Sequence, residues 1–197
     1  MGIIDFGEPF KKLFNQGIIV SNHQKMSKSK GNVVTPDNLV AEVGTDAVRA
    51  YLMFVGPWDQ GGEWNDSGLS GMSRWLNRVW NLFTEEYTPQ TASAEAEREL
   101  ERTLHQTTKK ITMDIERLRF NTVVAALMEL SNSLAKLKET AAISAENWQN
   151  TLQTFALMLA PVAPHIAEEL WLIWAWSIQS TTRTGRRGTK NWPRTKL

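Results

Sequence analysis

Cysteine is absent from the 197 residues, which excludes disulfides and thiolate-bound zinc. Histidine occurs three times, at His23, His105 and His165, with no metal-ligand spacing among them. No apolar run approaches the roughly 20 residues that cross a bilayer, and Met1 to Phe6 lacks the basic and long apolar regions of a secretory signal, so the expected location is cytoplasmic. No internal repeat is visible. Acidic residues are missing from 172–197, which hold Arg183, Arg186, Arg187, Lys190, Arg194 and Lys196. The formal net charge of +1 therefore conceals a body, residues 1–171, with 16 basic and 21 acidic side chains. Such a body is no general polyanion binder, and any nucleic-acid contact must come from local basic patches.

With 42% hydrophobic and 22% charged residues, the chain can bury an ordinary core and a small second one. Residues 1–34 carry short apolar runs (Ile3-Ile4, Leu13-Phe14, Ile18-Ile19-Val20) broken by Gly7 and Gly17. They predict strands or short helices around an exposed loop at Ser21 to Asn32. Thr35-Pro36-Asp37 predicts a helix start, with Thr35 as cap, running to about Glu42 or Val43 before Gly44. A second helix spans Asp46 to Val55, with Val48, Leu52 and Val55 on one face. Gly61 to Gly68 reads as a loop. Helical spacing then links Met72, Trp75, Leu76, Val79, Leu82 and Phe83. Beyond a linker at Thr88 to Ala94, one stripe runs through Leu100, Leu104, Ile111, Ile115 and Leu118. Asn121 is the expected cap of a helix burying Val123, Val124, Leu127, Leu130, Leu134 and Leu137. Ser144 should cap the next, with Ile143 and Trp148 as a hydrophobic staple and Leu152, Phe155 and Leu159 inward until Pro161. A short helix is expected from Pro164. The predicted fold is mainly α: a small α/β piece, then an antiparallel four-helix bundle. The division is 1–67, 68–171 and a basic tail at 172–197.

The segment Lys25-Met26-Ser27-Lys28-Ser29-Lys30-Gly31-Asn32 concentrates three ammonium groups in a small, glycine-containing loop. When a carboxylate attacks the α-phosphate of a nucleotide, negative charge grows on phosphorus and on the departing pyrophosphate. Ammonium groups placed there stabilise that state more than the ground state. Lys25 and Lys28 are the candidates, and Lys30 is a weaker third. Ser27, Ser29, Gly31 and Asn32 are expected to keep the loop small and hinged, as a lid requires.

This octamer resembles the KMSKS loop of class I aminoacyl-tRNA synthetases, and the flanking Val33 to Asp37 and Gly44-Thr45-Asp46-Ala47-Val48-Arg49 extend the likeness in order. Lys30 after the motif separates it from valyl and isoleucyl enzymes. Asp5 to Phe10, Leu13 to Gly17, Glu63 to Asp66, Trp75 to Trp80, Phe120 to Leu130 and Leu159 to Trp171 also resemble leucyl-tRNA synthetases. The resemblance covers residues 1–171. It implies an ATP-binding loop at Lys25, Met26, Ser27, Lys28 and Ser29, with Lys25 and Lys28 catalytic, and an anticodon-binding type of bundle. In an intact enzyme it implies ATP with Mg2+, leucine and tRNA(Leu) as partners. Lys109, Lys110, Arg117 and Arg119 are candidate tRNA phosphate contacts, with a solvated helix face as the bland alternative. For Trp75, Trp80 and Trp148 core packing is expected rather than base stacking, and for His165 a packed or hydrogen-bonded ring rather than catalysis.

The HIGH-type motif that class I enzymes pair with this loop is absent, as are the leucine pocket and the editing domain. The chain is thus expected to supply the ATP loop and tRNA docking without activating leucine or editing, with the missing N-terminal half as a partner. The alternatives are a stand-alone RNA-binding module, or the matching piece of a valyl, isoleucyl or methionyl enzyme.

Beyond Trp171 the resemblance stops. Joining the third base of each codon to the first two of the next lets Trp174 to Leu197 encode GLEYSIHNQ, one residue, WPAWDEELA, one residue and DEA. Some positions are forced by the single Trp codon, as Trp174-Ala175 must give Gly and Trp192-Pro193 must give Ala, while others require a favourable choice of degenerate bases. The recovered string resembles the acidic stretch expected after Glu169-Leu170-Trp171 in leucyl enzymes. A frameshift near Leu172 or Ile173 is therefore expected, leaving a non-native, disordered tail. The rival is a genuine RNA-binding basic tail with Trp174 and Trp176 as stacking platforms.

Overall fold

The computed structural model describes residues 5–8 and 10–182, with backbone alone for 174–182. The fold is mainly α, seven helices and a small three-stranded sheet among the described residues. Strand β1 (Ile18–Ser21) turns through Asn22 and His23 into β2 (Gln24–Lys25), and both turn residues have positive φ, 52° and 58°. Such a two-residue turn matches the twist of an antiparallel hairpin. Helices α1 (Pro36–Val43) and α2 (Thr45–Phe54) then carry the chain back to β3 (Gly61–Glu63), which pairs parallel with β1, Ile18 opposite Gly61. Gly61 has φ of 81°, and a Cβ there would lie 2.1 Å from the Ile18 carbonyl oxygen. Only glycine permits that approach of β3 to β1.

The rest is helical: α3 (Asp66–Thr84), α4 (Ala94–Glu116), α5 (Phe120–Thr140), α6 (Ala145–Leu159) and α7 (Pro164–Thr182). One core runs through them, with Trp75, Val79, Leu127, Leu134, Phe155 and Leu170 among its buried members. Helix α2 belongs to that core, since Ala47, Val48, Ala50 and Tyr51 are buried and α2 packs on α3 and α5. At roughly 25 cal/mol per Å2 of apolar area, such burial is the main force holding the helices. Trp75 and Trp148 are buried and Trp80 is partly so, as expected of core residues.

Several boundaries differ from expectation, each for a local reason. Thr35 sits at the cap of α1 but makes no side-chain cap bond, leaving Pro36 and Asp37 to start the helix. In α2 the buried face is centred on Ala47, Ala50 and Tyr51, while Leu52 is 39% exposed. Helix α3 begins inside the expected loop, because Asn65 accepts the Ser67 amide at 2.9 Å and Gly68 gives room to the Tyr51 ring. Asn121 is not a cap, since α5 starts at Phe120 behind Arg119, whose carbonyl accepts the Val123 amide. Leu118 leaves the stripe of α4 for a left-handed turn with φ of 56°. Ser144 does cap α6, accepting the Asn147 amide. Helix α7 is longer than the short helix expected, and it corrects the expectation of disorder from residue 172, because the helical backbone continues past Leu172 and Ile173 to Thr182. The tail from 183 onward lies outside the described residues.

Candidate functional site

The lysine-rich segment forms a compact structure at the tip of the small sheet. Lys25 ends β2, and Lys28–Lys30 make one 3-10 turn in which Lys30 N–H donates to the Ser27 carbonyl at 3.0 Å. Gly31, with φ of 66°, ends the turn, and its N–H donates to the Lys28 carbonyl at 3.2 Å. A side chain there would be strained. Asn32 closes the loop: its Oδ1 accepts the Ser27 amide at 2.8 Å and its Nδ2 donates to the Lys25 carbonyl at 3.3 Å. Ser27 and Ser29 share a hydroxyl bond of 2.9 Å. The segment is thus internally bonded, by the Asn32 amide, the Ser27–Ser29 hydroxyl pair and the 3-10 turn.

The three lysines differ in what they are free to do. Lys30 Nζ donates to Gln24 Oε1 at 3.2 Å, which ties the turn to β2. Lys25 and Lys28 are exposed and have no side-chain partner among the described residues. A second tie lies at the hairpin tip, where His23 N–H donates to Glu63 Oε1 at 3.1 Å and its ring nitrogen Nδ1 lies 2.9 Å from Oε2. This links the approach to the loop with β3.

The four candidate phosphate contacts cluster around the α4–α5 corner. Lys110 is engaged by Asp114, Nζ to Oδ2 2.6 Å, and the same Oδ2 accepts the Thr122 hydroxyl at 2.8 Å. Burial raises the Asp114 pKa, but hydrogen bonds from Lys110 and Thr122, with the charges of Lys110 and Arg119, more than offset it and leave it lowered. Lys109, Arg117 and Arg119 are exposed. Of the four, these three present charge without a strong internal partner, and Lys110 serves the corner itself.

Sequence reasoning missed the polar links that join α2 to the far end of the body. Asp46 is 5% exposed, and its two oxygens accept the Ile166 amide at 2.7 Å and meet His165 Nδ1 at 2.8 Å. One turn further, Arg49 donates to the Pro161 carbonyl from Nη2 at 3.0 Å and from Nε at 3.3 Å. An acid at the start of α7 and a base at the end of α6 match the helix dipoles there. His165 is hydrogen bonded, in line with its expected structural role. Tyr51, whose hydroxyl accepts the Asn65 amide at 2.7 Å, has its pKa raised chiefly by burial.

The chain is similar to known proteins over most of its length. Residues 3–63 match the model of class I tRNA synthetases for isoleucine, leucine, methionine and valine, and residues 97–196 match that of the anticodon-binding domain of tRNA ligases. A leucine–tRNA ligase of Dehalococcoides mccartyi is 95% identical over 171 residues, 87% of this chain and 21% of that protein. The chain belongs to the family of tRNA-ligase anticodon-binding domains. The Deinococcus radiodurans leucine–tRNA ligase is 46% identical over 172 residues, again 21% of its length, so the chain spans about a fifth of the curated relatives it matches. Among solved structures, an Agrobacterium radiobacter K84 LeuRS in a ternary complex with tRNA and LeuAMS superposes with a TM-score of 0.78 at 38% identity, covering 88% of this chain and 24% of that one. A Mycobacterium tuberculosis methionyl-tRNA synthetase shares the fold, with a TM-score of 0.61 at 19% identity over 79% of this chain and 36% of that one. The leucine-specific likeness disfavours a stand-alone RNA-binding module.

Proposed function

We propose that this chain supplies two parts of a leucine–tRNA ligase: the loop that holds the ATP phosphates, and a helical bundle that docks tRNA(Leu). The observation that carries the reading is the disposition of the loop lysines. Lys30 is tied to Gln24, while Lys25 and Lys28 project unpaired from a clasped turn. Bound ATP, with Mg2+, would bring the phosphoanhydride to be broken. The residues of this chain supply ammonium charge where the leaving pyrophosphate gathers negative charge, with Met26, Ser27 and Ser29 completing the loop. Positive charge held in a fixed turn costs little reorganisation as the reaction proceeds.

In this reading α3 to α6 form the antiparallel four-helix bundle of the anticodon-binding type, and the sheet with α1 is the KMSKS-bearing remnant of the catalytic region. Lys109, Arg117 and Arg119 are phosphate contacts, and Lys110 contributes by fixing the corner that carries them. Leucine recognition, the HIGH motif and editing belong to the rest of the enzyme. Phe6, Phe10, Leu13 and Phe14 are exposed in the segment leading into β1, as is Ile18 at its start, which supports a partner on this side of the chain. The partner is the remaining catalytic half.

Residues 172–197 are read as a shifted frame. The 171-residue length of the 95% match equals that of the segment before the acid-free tail and supports this reading, whereas the anticodon-binding-domain match running to residue 196 counts against it. Sequencing the coding DNA tests this, and codons that do not yield the recovered acidic string would contradict it.

Complementation tests the main reading. The 197-residue chain, mixed with the separately produced catalytic half of the ligase, should restore leucylation of tRNA(Leu), and a chain with Lys25→Ala and Lys28→Ala should not. Equal restoration by both chains would overturn it.

A further inference from the structure

Asn32 stands just outside the five-residue motif and has no role in the reading above, yet its side chain makes the two bonds that close the loop. Its Oδ1 takes the Ser27 amide at 2.8 Å, and its Nδ2 reaches the Lys25 carbonyl at 3.3 Å. Residue 32 thereby grips both sides of Met26, on the strand that presents Lys25 and at the start of the turn that presents Lys28. Few side chains can do this. The task needs an acceptor and a donor on separate atoms of one short planar group, which an amide provides; an ionised carboxylate lacks the donor, and a hydroxyl carries both on a single oxygen. Asn32 is itself half-buried, whereas the lysines it sets are exposed.

We propose that Asn32 is a positioning residue: it clasps the loop into a preformed unit that fixes Lys25 and Lys28 relative to one another, so that the loop moves as one body about its flanks. This rests on the reading of the two lysines as phosphate contacts. The internal bonds of the unit are the Asn32 bridge, the 3-10 turn and the Ser27–Ser29 hydroxyl pair. The segments on either side hold it differently. On one side it hangs from the Asn22-His23 turn and the His23–Glu63 tie, and on the other Val33 to Thr35 lead to α1 without regular structure. Flexing at these flanks leaves the spacing of the two ammonium groups unchanged. A loop without its clasp would have to order itself in each catalytic cycle, which slows the chemical step without weakening amino-acid binding.

Two measurements separate the clasp from the function it serves. In the 197-residue chain, amide hydrogen exchange at Ser27, Lys30 and Gly31 should speed up about tenfold in Asn32→Ala, as expected when one bond holding a local opening is removed. Exchange in α2 to α6 should stay as it was. Asn32→Asp keeps an acceptor for Ser27 and should retain most of the Ser27 protection. In the full-length leucine–tRNA ligase, the same Asn32→Ala change should lower the single-turnover rate of adenylate formation about tenfold or more with the KM for leucine unchanged. Asn32→Asp should fall between it and the parent. Unchanged loop exchange in Asn32→Ala overturns the clasp. Faster exchange with an undiminished adenylate rate overturns the positioning role and leaves the lysine reading standing. Loss of activity on replacing Lys25 and Lys28, measured alongside, shows that the lysine reading itself holds.

Discussion

Asp46 and Arg49 sit one helical turn apart and reach partners more than a hundred residues away, His165, Ile166 and Pro161. Nothing in a linear sequence announces such partners. The GTDAVR segment predicted a helix correctly and could not say that its acid would end under α7. Because the buried carboxylate satisfies the first turn of α7, Asp46→Ala should lower the unfolding free energy by about 2 kcal/mol, measured by urea denaturation. A loss no larger than that of a surface substitution would contradict this role. Asp114 carries a different signature. Its pKa is lowered in the fold, so its contribution is fully present above the ordinary aspartate value of about 4 and is lost as pH falls through the lower folded value. Urea midpoints taken from pH 7 down to 3 should therefore fall, and Asp114→Asn should flatten part of that fall while lowering the midpoint at pH 7. The loop lysines were legible by type and spacing. That Lys30 is tied to Gln24, and that Asn32 bonds to both Ser27 and Lys25, needed coordinates.

Helices were the most legible elements, because each buries a stripe that recurs at helical spacing. The α5 stripe of Val123, Val124, Leu127, Leu130 and Leu134 is buried as its pattern requires. Leu127 is fully buried, and Leu127→Ala should cost about 2–5 kcal/mol, with calorimetry as the check. Caps were less legible, since a cap depends on which oxygen turns toward which amide. Ser144 and Asn65 accept amides of their helices, whereas Thr35 leaves its helix to Pro36 and Asp37. The small sheet was the least legible element. Its strands are four, two and three residues long, too short for alternation to show, and the parallel pair joins segments some forty residues apart. Glycine marks that pairing in hindsight, Gly61 where β3 meets Ile18.

At the scale of the whole molecule, α2 is shared. It follows α1 directly from the loop and lies in the core of the helical body, so the lysines are carried on a platform continuous with the bundle. The proposed division of labour predicts that the purified chain catalyses no appreciable ATP–pyrophosphate exchange, and a rate near that of the full-length ligase would refute it. Removing residues 183–197 should leave tRNA affinity unchanged at fixed salt, whereas loss of that affinity would favour a native RNA-binding tail. The central claim is that Lys25 and Lys28 hold the departing pyrophosphate. Its most direct test is the single-turnover rate of leucyl-adenylate formation in the full-length ligase with both lysines changed to alanine. A fall of about 100-fold or more with leucine binding intact is the predicted result. An unchanged rate would contradict it.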